Sequence, residues 1–65
     1  MSNLDQKVKQ QLLNELENLT RSMNIPFNRQ RDANWLLTNA CVNNAGHKNL
    51  DKIVKICKLL EEGKN

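Results

Sequence analysis

The sequence predicts an all-α fold, a small three-helix bundle with helices at about 3–23, 29–44 and 50–62. Three observations carry that expectation. Apolar residues recur at spacings of three and four through most of the chain. Two breaks, Asn24-Ile25-Pro26-Phe27 and Gly46-His47-Lys48, cut it into three helical stretches. A length of 65 residues allows one domain, with a core so small that self-association or covalent bracing would add useful stability.

The first helix rests on Leu4, Val8, Leu12, Leu16, Leu19 and Met23, a single apolar stripe with Leu13 at its edge. Ser2 or Asn3 is expected to cap it, with Asp5 favourably placed in the first turn. It is the longest of the three at about 30 Å, so its opening turns should overhang the bundle. Pro26 then removes a backbone donor and biases Ile25 towards extended geometry. Ile25 and Phe27 are expected to plug the end of the core, and Asn28 to cap the second helix.

That second helix is the expected hub. Ala33, Leu36, Leu37, Ala40 and Cys41 fall on one face, and Trp35 and Val42, seven residues apart, on the opposite side. A helix that is apolar on two sides needs covering on two sides. Gly46 offers a stop and Asn49 a cap for the third helix, whose inner face is Leu50, Ile53, Val54, Cys57 and Leu60. Lys48, Lys52, Lys55 and Lys58 line its outer arc around Leu59, and Lys64-Asn65 reads as a frayed tail.

Several chemistries find no support. Cys41, Cys57 and His47 are too scattered for a zinc site, and both cysteines read as free thiols in the core. No base stands beside a cysteine nucleophile, Glu15 and Glu17 project from different sides of a helix, and both glycines serve as helix stops. No enzyme, cofactor, metal or small-molecule substrate is therefore expected. The match of Asn18-Leu19-Thr20 to a glycosylation signal is accidental, because Leu19 belongs to the core stripe. Nothing approaches a membrane span, and the opening MSNLDQKVKQQ lacks the apolar run of a secretory leader, so a cytoplasmic protein is expected. Eleven asparagines beside many lysines suggest an AT-rich coding sequence, consistent with a phage or mobile-element accessory protein.

Two binding surfaces remain. The leading expectation is a non-enzymatic adaptor or regulator that docks another protein on Arg29, Arg31, Trp35, Asn39 and Val42, and a third reading is a homodimer formed through the overhanging start of the first helix. Tryptophan and arginine are enriched among interface hot spots, which is why this cluster leads. The alternative is weak nucleic-acid binding in the manner of a transcription regulator, through Lys48, Asn49, Lys52, Lys55 and Lys58. The net charge of +3 permits it, but the long turn and the shortage of base-reading side chains count against sequence-specific readout.

Overall fold

A computed structural model describes residues 5–63. Among them the chain forms three helices and no strand. Helix α1 is Gln6–Arg21. A short 3-10 turn, Phe27–Arg29, leads into α2, which spans 33–43, and α3 is Leu50–Glu62.

Helix α1 keeps the predicted stripe but buries only part of it. Residues 5–11 are all exposed, Val8 included, so the opening turns do overhang. Leu16 and Thr20 are fully buried further along. Asp5 stands at the N-cap position, and the caps expected at Ser2 or Asn3 lie outside the described residues. The helix stops at Arg21 because the chain reverses before reaching the proline. Asn24 adopts a left-handed φ of 60°, while the N–H of Ile25 donates to the Thr20 carbonyl and that of Asn24 to the Arg21 carbonyl, each at 3.3 Å. This pair of bonds satisfies the last carbonyls of α1, and asparagine tolerates the conformation better than any branched residue.

The reversal corrects one expectation. Ile25 does close the end of the core, but Phe27 is 79% exposed. The inward position of the turn belongs to Gln30 instead. Its Nε2 donates to the Ile25 carbonyl at 3.1 Å, and its own carbonyl accepts from the buried Thr20 hydroxyl at 3.4 Å. Polar ties fill the inner side of this turn, and the aromatic ring is left outside.

Helix α2 begins at Ala33, four residues later than predicted. Asn28 cannot cap it, because Phe27–Arg29 are taken up by the 3-10 turn. Asp32 caps it instead, its Oδ1 accepting the Trp35 N–H at 3.1 Å, with a carboxylate where the helix dipole favours one. Inside the helix, Ala33–Trp35 and Cys41–Asn43 are α-helical, but Leu36–Ala40 between them is a π turn.

A π turn takes up one extra residue, so everything after it lags a regular helix by roughly 100°. Exposure follows that shifted register. On an unbroken α-helix Asn43 would fall beside Leu36, about 20° from it, yet it is exposed, whereas Cys41 and Asn44 are half-buried. Two polar side chains bond back onto the first turn. Thr38 Oγ1 donates to the Asn34 carbonyl at 2.6 Å, and Asn39 Nδ2 to the Trp35 carbonyl at 3.2 Å.

The hub is α3, not α2. It packs against α1 on one side and against both the first turn and the π turn of α2 on the other. The reason lies in the stripes. Helix α3 buries Ile53, Ile56 and Cys57, with Leu50 and Leu60 packed beside them, whereas α2 is short and buries only Leu36 and Ala40. Leu16, Met23 and Ile25 complete the core.

Candidate functional site

The five residues expected to form a protein-docking patch separate into three places. Arg29 and Trp35 come together. The Arg29 guanidinium carbon sits 5.6 Å from the centroid of the Trp35 ring, and its Nη1 pairs with Asp32 Oδ2 at 3.2 Å. A cation over an aromatic face at an exposed site contributes about 0.5–1 kcal/mol, and a solvated ion pair adds no more than that. Trp35 is half-buried beneath this cover and packs against the core. Asn39 stays one turn away, its amide committed to the Trp35 carbonyl.

Arg31 and Val42 lie elsewhere. Arg31 precedes α2 altogether and lines a cleft of about 450 Å³ between the start of α1, the start of α2 and the end of α3. Lys9, Asp32 and Glu61 border the same cleft over Leu13 and Leu60, so opposite charges face each other across it. Val42 is 74% exposed, and the π turn carries it away from the Trp35 side.

Phe27 is the residue that sequence reasoning missed. An aromatic ring beside a proline at a helix break reads as core, and its neighbour Ile25 obeys that reading. The signal for the opposite outcome was Gln30, whose side chain can satisfy the turn from inside. Phe27 is held firmly although its ring is free. Arg29 N–H donates to the Pro26 carbonyl at 2.9 Å, Gln30 N–H to the Phe27 carbonyl at 3.3 Å, and Asp32 N–H to the Arg29 carbonyl at 3.1 Å. An exposed ring on a backbone that is already ordered loses little conformational entropy when a partner covers it.

The two thiols differ. Cys57 is fully buried and Cys41 half-buried, and both are free. Burial pushes the Cys57 thiol up from 9.0 to about 11, with smaller contributions from Cys41, Glu61 and Asp32. Below about pH 9 both the folded and the unfolded chain keep this thiol protonated, and its contribution to stability is whole. That contribution is lost between about pH 9 and 11, where only the unfolded chain gives up the proton. A slow alkylating reagent at pH 8 should therefore modify Cys41 alone in the native protein, and both cysteines once the chain is denatured. Mass spectrometry counts the adducts, and rapid labelling of Cys57 without denaturant would contradict this packing.

The remaining turn is built for structure. His47 Nδ1 accepts the Asn49 N–H at 3.1 Å, and Gly46 has a left-handed φ of 99° with nothing within 4 Å of where a side chain would begin. Among the described residues, no group of three or more His, Cys, Asp and Glu is gathered as metal ligands, and no helix is long and apolar enough to cross a membrane. No protein-family model matches this chain, and no curated protein or solved structure matches it either.

Proposed function

We propose that this chain is a non-catalytic binding protein, an adaptor or regulator that docks another protein on the corner formed by Phe27, Arg29 and Trp35. The observation that carries the reading is Phe27, an aromatic ring 79% exposed on a turn braced by its own hydrogen bonds. Aromatic and arginine side chains are the residues that contribute most at interface centres, and here three of them share one turn and the helix start after it. Phe27 enters a pocket on the partner. Arg29 already stands over Trp35 and forms the flank of that contact.

Trp35 is the less informative residue to mutate, because it also packs on the core and its loss costs folding stability. Phe27→Ala removes the anchor and leaves the core untouched. Wild-type protein used as bait in an extract of the cells that make it should retain a specific protein, and Phe27→Ala should lose it at least tenfold with an unchanged circular dichroism spectrum. Equal capture by both baits would place the contact elsewhere. If the captured species is the chain itself, sedimentation showing a dimer that Phe27→Ala dissociates identifies the partner as a second copy.

A further inference from the structure

We infer that a second surface, the lysine face of α3, docks on the phosphate backbone of duplex nucleic acid without reading its sequence. This goes beyond the protein-docking reading and uses different residues. Lys48 stands just before α3, and Lys52, Lys55 and Lys58 follow at helical spacing on the side opposite Ile53, Ile56 and Cys57. All four are exposed, and among the described residues none lies within 4.0 Å of a carboxylate. Arg21 and Arg29, by contrast, are both paired, to Glu17 and Asp32.

The chemistry of the face selects its occupant. Ammonium groups on flexible stems attract phosphate as point charges and impose no orientation. Base reading is not built in: this face carries no arginine, and Asn49, at the start of the helix, donates its Nδ2 to Ser22 Oγ at 3.3 Å. A lipid surface fits poorly, since an interfacial helix must sink a broad apolar face into the bilayer, whereas α3 has buried that face in the core and leaves only Leu59, 42% exposed, among the lysines. A duplex asks for nothing apolar and presents a negative charge about every 1.7 Å along its axis. Asp51 and Glu62 share the lysine arc, and their repulsion holds the number of engaged phosphates to about three.

The test is fluorescence anisotropy with a labelled DNA duplex of about 20 base pairs, titrated with the full chain at several salt concentrations. With about three phosphates neutralised, log affinity should fall against log salt with a slope near −2.7, or roughly 40-fold between 50 and 200 mM. Lys52→Gln/Lys55→Gln, both on the exposed face, should keep the helical spectrum and flatten the slope by about 1.8. Two unrelated duplex sequences should bind equally. The proposal is overturned by no binding at about 50 mM salt, by an affinity indifferent to salt, or by a double variant that binds as tightly as wild type. Tighter binding to anionic lipid vesicles than to duplex at the same salt also overturns it, in favour of a membrane surface.

Discussion

Leu36→Ala should unfold the chain at 37 °C or lower its melting temperature by roughly 10–40 °C. Leu36 has no exposed surface and sits inside the π turn of α2, where it joins the core packed around α3. Truncating a buried leucine to alanine costs about 2–5 kcal/mol, because the lost transfer energy is joined by the cavity left behind. A chain of 65 residues has a total stability of only about 3–10 kcal/mol, so the loss is a large fraction of the whole. Val42→Ala, in the last turn of the same helix, is the control. At 74% exposure it should change stability by no more than about 0.5 kcal/mol. Thermal melts followed at 222 nm compare the two. A Leu36→Ala protein melting within about 5 °C of wild type would mean that α2 does not contribute to the core as described.

Gln30→Ala should cost about 1–3 kcal/mol and loosen the turn that presents Phe27. Gln30 is buried, and its Nε2 supplies the donor for the Ile25 carbonyl. Removing that donor leaves a carbonyl next to the core unpaired, and a buried acceptor without a partner costs more than the bond contributed. Gln30 also carries its own burden, since its Oε1 is buried without a donor. Part of its benefit is therefore offset, and the expected loss stays below that of Leu36. The distinguishing readout is hydrogen exchange. Amides of residues 29–32 should exchange faster in Gln30→Ala, while those in the middle of α3 change only with global stability. Partner capture should weaken as well, because a mobile turn must be ordered again on binding. Unchanged exchange at residues 29–32 would show that the backbone bonds alone hold the turn.

Much of the fold was legible because periodicity reports which face is buried. The stripe from Leu12 to Met23 follows from spacing and α3 occupies the predicted 50–62, but its buried face takes in Ile56, which the predicted face left out, while Val54 is only half-buried. What spacing could not reveal was a change of period. The π turn at Leu36–Ala40 resets the register of α2, which is why Val42 parts from Trp35 and why the two form no continuous second apolar side: Trp35 packs against the core and Val42 is exposed. The start of α2 was misplaced for a different reason. Asn28 and Asp32 are both good caps, and the choice between them was made by the 3-10 turn after Pro26, a local hydrogen-bond arrangement with no hydrophobic signature. Phe27 follows from the same turn. Sequence showed an aromatic residue near a break, while its exposure depends on Gln30 filling the inside.

The most direct measurement places a photo-reactive benzophenone amino acid at position 27 and irradiates the cells that make the protein. A cross-linked species of higher mass is expected from position 27, and none from position 15 on the exposed face of α1. Its formation should fall when Arg29→Ala is added, since Arg29 flanks the same contact. Adducts of equal yield from both positions, or none from position 27, would contradict the docking of a protein on the Phe27 corner.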